Sequence, residues 1–375
     1  MHSPAQGWLV LKLTDSPFYL GLTGTAGSIP ILLFTLAGGV VADRFRKRYT
    51  LLTMYILLML LALTLGALAS AGLVSIWHVL SIAFLMGTGY AFEIPSRHSF
   101  FIELVGRRDL LNAIALNSAA FNAARTIGPA IAGMLIGRFG VAVCFYINAL
   151  SFLAVITGLL RIRLDNEEKR GGKRSIRSDL KEGIRYILSE PRVNRLILFI
   201  GVMSFFGFPY ITFLPVYARD ILRIGAKGLG VLMALAGAGA FTGAIGLAIK
   251  GDSINKERHL ATSAAVFAVS LLIFSLSRLT WLSYVLLFLI GWGVVNQIAT
   301  ANTIIQLRVP DRLRGRVISS FTLVFLGMAS IGNFIVGSLA HYAGTRIALM
   351  ICALICLMVT TMVISKKVLK KPPAS

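Results

Sequence analysis

The chain has 375 residues, of which 57% are hydrophobic and 14% charged, with a formal net charge of +22. That balance leaves no room for a soluble domain of useful size and fits an integral membrane protein. At ~20 residues per span, about a dozen membrane-crossing helices with short loops can be accommodated.

The positive charge does not signal nucleic acid. Most of the 37 lysines and arginines gather at Arg44–Arg48, Arg97–Arg108, Arg161–Arg195, Lys250–Arg258, Arg308–Arg316 and Lys366–Lys371. Counting the apolar runs between them puts all six groups on one side. This bias predicts a multi-pass protein of the inner (plasma) membrane, with these loops and the C-terminus in the cytoplasm. Lipid offers the backbone no hydrogen-bond partner, so the apolar runs must be helices or barrel strands. Their unbroken apolarity excludes strands, which would alternate in polarity.

In chain order, Gly7 to Thr14 are apolar but rise only ~12 Å as a helix, against ~30 Å of hydrocarbon. The first full span predicted is Leu20–Ala42, where Pro30 sets a kink. Thr50–Ala71, Trp77–Ile94, Asn112–Ile136 and Val141–Leu160 follow. A polar stretch, Arg161–Arg195, then interrupts the pattern. Within it Ile176, Leu180, Ile184, Ile187 and Leu188 recur at helical spacing, Ser178 and Asp179 suit a helix start, and Pro191 ends the run. This reads as a linker helix on the inner membrane surface, its basic residues toward anionic lipid. Leu196–Ala218, Gly228–Ile249, Leu260–Leu276, Trp281–Ile304, Val317–Ala340 and Thr345–Ile364 complete the spans. The domain order is a transmembrane half (1–160), a linker (161–195), a second transmembrane half (196–365) and a basic tail (366–375). Cys144, Cys352 and Cys356 all sit in apolar runs, where packing is their expected role; no metal site is read from them.

The halves repeat at a fixed offset of 204 residues. Gly21 falls on Gly225, Gly39 on Gly243, Trp77 on Trp281 and Gly87 on Gly291. Gly128 falls on Gly332, Gly133 on Gly337 and Gly140 on Gly344. Paired tryptophans and a glycine ladder in one register mean a parallel internal repeat. The offset also places the start of the first helix before Met1. Gly7–Thr14 therefore reads as the outer remnant of a first helix whose inner part this sequence lacks, as a misplaced start would leave it. The expected fold is all-α, with eleven full spans plus that remnant.

Residues Gly39 to Arg48 read Gly-Val-Val-Ala-Asp-Arg-Phe-Arg-Lys-Arg. Any short inner loop collects basic residues, but not an aspartate among them after Gly-x-x-x. The pattern, with Gly39, Asp43, Arg44, Lys47 and Arg48, resembles the loop between the second and third helices of the major facilitator superfamily of transporters. The resemblance implies the major facilitator fold of two six-helix halves, and a gate. In that gate Asp43 would contact a helix N-terminus of the other half and a nearby arginine, where exposed N–H groups favour a carboxylate. Gly39 would permit close helix approach. The second half keeps Gly243 but has Leu247 in the aspartate's place, so the latch would be one-sided. The basic turn Val309–Arg316 would sit opposite Asp43.

The segment Gly128-Pro129 with Gly133 resembles the motif that marks exporters in the superfamily, although Ala124 replaces its first glycine and Gly133 alone stands for its closing pair. A fuller match is to the enterobactin-exporter-like and macrolide-efflux branch, over Ala5–Pro17, Glu93–Arg97, Leu110–Gly133 and Val309–Ser319. It implies a secondary active transporter exporting a small organic molecule, siderophore- or drug-like, by alternating access with protons as the coupling ion. It implies no cofactor, and a monomer. Two alternatives stay open: a lysophospholipid or lipid flippase of the same fold, and a truncated membrane protein that does not transport.

Arg125 falls near mid-membrane, where a charge is costly and faces a cavity or the protein interior. Ser118, Asn122 and Arg125 share a helix face, with Phe121 and Asn117 at its edge. That face is read as cavity lining, Arg125 meeting an anionic part of the substrate; a structural arginine satisfied by helix carbonyls fits equally. Glu93 is the only carboxylate well inside a span, and so is the candidate proton carrier, or else the partner of Arg97. Its repeat-mate Gln297, beside Asn296, completes a matched polar pair assigned to the pathway. The sequence shows no nucleotide loop, metal cluster or catalytic triad, and no enzyme is read from it.

Overall fold

The computed structural model describes residues 1–162, 176–250 and 254–365. The side chains of 36, 43, 102–103, 105–115, 118–119, 121–122, 176–181, 250 and 363–365 lie outside that description. The apolar runs are helices: α1 (His2–Thr14), α2 (Pro17–Arg44), α3 (Lys47–Ser70), α4 (Ile76–Phe139), α5 (Val141–Arg161) and α6 (Ile176–Ser189). The second half holds α7 (Pro191–Val202), α8 (Tyr210–Val216), α9 (Gly225–Lys250), α10 (Lys256–Leu276), α11 (Thr280–Arg308), α12 (Asp311–Ala343) and α13 (Thr345–Ser365). Among the described residues, 10 helices are long and apolar enough to cross a membrane. Of the predicted span Asn112–Ile136, the side chains of 112–115, 118–119 and 121–122 lie outside the description. The turn at Phe45–Arg46 marks the basic face of the molecule, and the turn at Asp15–Ser16 the far face.

Two stretches depart from the expected loops. The basic group Arg97–Arg108, predicted to separate two spans, is helical and lies within the 64-residue element α4. A straight helix of that length would reach ~96 Å. Instead α4 doubles back. Gly87 lies against the backbone of Gly27, Gly24 one turn away shares a cavity with Met233, and Met233 shares another with Arg125. No proline or turn dipeptide stands between Arg97 and Leu111 to stop the helix. The other departure is Val309–Arg316, where only Val309 and Pro310 form a link. Pro310 caps α12, which starts at Asp311.

Prolines also shape the span Pro191–Ile221, which carries π-helical turns at Met203–Gly207 and Tyr217–Ile221. Pro209 has no N–H to return to the carbonyl of Phe205. Gly332 of α12 packs onto that carbonyl, where any side chain would overlap it.

The repeat is visible in the backbone. Gly87 sits on the carbonyl of Gly27 and Gly291 on that of Ala236, so α4 meets α2 as α11 meets α9. Gly140 at φ 83° and Gly344 at φ 86° each end a long helix in the left-handed region that glycine favours.

The halves meet through α2 with α12, α4 with α9, and α1 with α8. Gly21 packs on Asn333 and Gly337, Gly133 on Gly230, Gly237 on Arg125 and Thr126, and Gly7 on Pro215. Thr25 donates to the Ser330 carbonyl at 3.0 Å. These contacts lie in the far half and the middle. Toward the basic face, a Cβ added at Gly39 or Gly246 would meet no other element within 4 Å among the described residues, and Leu33 and Ile249 are exposed. Among the described residues, these glycine and threonine contacts between the halves lie at the far side and in the middle.

The linker helix α6 docks on the basic end of α12. Gly183 packs on the Arg316 backbone, and Glu182 pairs with Arg316 and, at 3.6 Å, with Arg312. Of the apolar stripe read from the sequence, Ile187 is buried, while Ile184 and Leu188 are exposed.

Candidate functional site

The helices enclose a cavity of about 290 Å³ between the halves. Pro4 of α1 and Ala124, Arg125 and Pro129 of α4 face Tyr210, Met233, Gly237 and Val294 from the other half. Its lining is mainly apolar, as binding cavities are, with few polar groups to orient a ligand. Arg125 is the single charged side chain among the lining residues. It is exposed into this space, and no ion pair to it is present among the described residues. The buried Tyr210 lies within electrostatic range of the guanidinium. A fixed cation in an apolar chamber suits an anionic group on an otherwise apolar or aromatic molecule.

Other residues read from the sequence fall in different places. Pro129 lines the cavity, and Gly133 lies on Gly230, where the halves touch backbone to backbone. Gly128 and Asn117 are half-buried in α4. The side chains of Ser118, Phe121 and Asn122 lie outside the described residues. Val294 and Val295 line the cavity, but their neighbour Asn296 turns away from it. Asn296 donates to the Trp292 carbonyl at 2.9 Å, so its Oδ1 accepts from His259 Nε2, also at 2.9 Å. Gln297 is buried beside a small separate void, its Oε1 without a hydrogen-bond partner among the described residues. Neither is brought to Arg125, because a helix turns each successive side chain by about 100°.

Glu93 is 5% exposed and held on two sides. Tyr55 of α3 donates to its Oε1 at 2.7 Å, and Arg97 Nε pairs with the same oxygen at 2.7 Å. Sequence reasoning missed Tyr55 and His259. Both were within reach of the repeat, since Tyr55 and His259 stand at the same offset and each bonds to a polar residue on the next span.

At the gate motif, Gly39 is open to space, and the Asp43 side chain lies outside the description. Arg44 is exposed, and Lys47 is half-buried at the start of α3. Arg48 donates to the Leu160 carbonyl at 2.9 Å, a cation at the C-terminal end of α5 in its own half. The arginines at the junction of α11 and α12 are held within the second half and linker: Arg308 by Glu257 at 2.6 Å, Arg314 by Asp311 at 2.5 Å, and Arg316 by Glu182.

A family model described as "Transmembrane secretion effector" matches residues 1–374. A multidrug efflux pump, Tap, of Mycolicibacterium fortuitum is 26% identical over 92% of this chain and 87% of its own length. A staphyloferrin A transporter of Staphylococcus aureus is 23% identical over 90% and 84%, and an enterobactin exporter of Escherichia coli is 26% identical over 88% and 79%. Among solved structures, the nucleoside transporter NupG superposes with a TM-score of 0.77 at 11% identity, covering 99% of this chain and 95% of that one. A bacterial homologue of the human lysosomal transporter Spinster gives 0.75 at 13% identity, covering 100% and 96%. The structural likenesses carry the fold alone.

Proposed function

Because the chain belongs to the transmembrane secretion effector family of the major facilitator superfamily, whose members are membrane transporters and not enzymes, we propose that it exports a small organic molecule by alternating access. The observation that carries this reading is the chamber between the halves with Arg125 as its one charged side chain. The cargo is an amphipathic molecule with an anionic group, of the drug or siderophore kind that the relatives' names print. In this reading the halves part at the basic face and admit it from the cytoplasm, which the positive-inside bias assigns to that face together with the C-terminus. Rocking of one half against the other then presents it to the far side. Exposed Ile184 and Leu188 set the linker helix α6 against the inner lipid surface.

The test is transport by purified protein in proteoliposomes under an imposed pH gradient, with anionic, cationic and lysophospholipid probes. Gradient-dependent movement of the anionic probe is expected. Movement of the lysophospholipid alone would replace the export reading by a flippase. No movement of any probe would overturn it.

Coupling to protons is assigned to Glu93, the buried carboxylate between Tyr55 and Arg97. Glu93→Gln keeps an acceptor for the Tyr55 hydroxyl and removes only the titratable charge. Gradient-driven export is expected to fall at least about tenfold, while counterflow exchange, which needs no net proton movement, persists. A gradient-driven rate equal to the parent's removes Glu93 from this role.

A further inference from the structure

Asp15 and Arg219 are separated by 204 residues, the offset of the repeat itself. They are thus the same position in the two halves, each at the far end of its half's first helix. Two equivalent positions can touch only on the axis that exchanges the halves. They do touch: Arg219 Nη1 pairs with Asp15 Oδ1 at 2.5 Å and donates to the Leu11 carbonyl at 3.0 Å. Leu11 is in the last turn of α1, so the guanidinium also caps that helix end, where its dipole favours a cation. Asp220 holds the other side of Arg219 at 2.7 Å and orients its plane. A second cross-half contact, Ser16 to His341 at 3.3 Å, lies beside the first. Directly below, the halves close backbone to backbone at Gly21 and Gly337, and Thr23 is buried.

The geometry points to the Asp15–Arg219 pair as the far-face latch of the transporter, made when that face is closed and broken when it opens. This rests on the alternating-access reading above. The pair sits at the surface, Asp15 being 78% exposed, so it adds little to folding. Its effect lies in the difference between the two states, because only one of them contains it. Asp15 holds φ 48° at the C-cap of α1. Asparagine tolerates that conformation as well as aspartate does, so Asp15→Asn removes the charge and leaves the turn intact.

The test places a cysteine at Thr23 and measures its labelling by a membrane-impermeant maleimide added from the far side. The chain with its three buried native cysteines alone serves as background. Asp15→Asn is expected to raise Thr23→Cys labelling severalfold, and Arg219→Gln likewise, while Arg219→Lys stays near the parent rate. In addition, Asp15→Cys with Arg219→Cys, joined by a short bifunctional thiol reagent that is cleaved by reductant, should stop transport until the reductant is added. Labelling at the parent rate in Asp15→Asn, or continued transport by the joined protein, overturns the latch. If the parent moves no probe, alternating access falls, and the labelling comparison alone decides whether the pair holds the far face shut.

Discussion

Gly133→Leu is expected to fold and insert normally yet to export nothing. At this position α4 meets α9 across the two halves, and a Cβ would lie 2.7 Å from both the Ala226 carbonyl oxygen and the Gly230 Cα. Backbone cannot yield there as the end of a flexible side chain could. Overpacking of this kind costs ~1–3 kcal/mol. Under the alternating-access mechanism proposed above, the crossing joins the halves only when the far face is closed, so the cost would fall on that one state. A penalty of ~3 kcal/mol shifts a two-state balance about a hundredfold, enough to hold the molecule out of its closed-far-face state. Gly291→Leu is the control. Its Cβ would overlap the Ala236 carbonyl inside one half, so it burdens every state alike. The expected readout is therefore normal yield and lost transport for Gly133→Leu, against low folded yield for Gly291→Leu. Low yield in both would mean that the α4–α9 crossing is part of the folded core rather than a moving interface.

Arg125→Ala should lower export of an anionic probe by about ten- to a hundredfold, since a hydrogen bond to a charged group contributes ~1.5–3 kcal/mol. The loss is larger than for a surface charge because the chamber is apolar and holds no second cation side chain among its lining residues to take over. Arg125→Lys should retain part of the activity: the charge stays, but the planar fork and its paired donors are gone. Probes without an anionic group should be moved equally by all three proteins. Binding by isothermal titration of the detergent-solubilised protein, set beside the transport rate, separates lost affinity from lost folding. Equal affinity for the anionic probe in parent and Arg125→Ala would make Arg125 a structural arginine.

Much of this architecture was legible in the chain before any coordinates. Apolar runs of spanning length have one stable solution in lipid, the helix. The register of Gly87 with Gly291, and of Gly140 with Gly344, carried the duplication, because a close approach or a positive φ admits little else. Arg125 stood out because a charge within an apolar run is expensive wherever it is put. Less legible were the ends of helices. The basic stretch after Arg97 has the composition of an inner loop, yet its backbone is helical, since charge tells which side of a membrane a segment occupies and not what its backbone does.

By itself, then, the sequence marked most of the membrane-spanning runs and the candidate cation, both consequences of transfer between water and lipid, which acts on each segment separately, and its glycine register carried the repeat. Which residues meet was decided only by the tertiary structure. Asn296 and Gln297 looked like cavity residues by analogy with Glu93, but the rotation of α11 sends Asn296 to His259 and leaves two valines facing Arg125. Asp15 and Arg219 are unremarkable residues at loop ends until the fold lays one half against the other and brings equivalent positions together. Helix rotation and the docking of halves depend on packing between distant segments, and no local pattern encodes that.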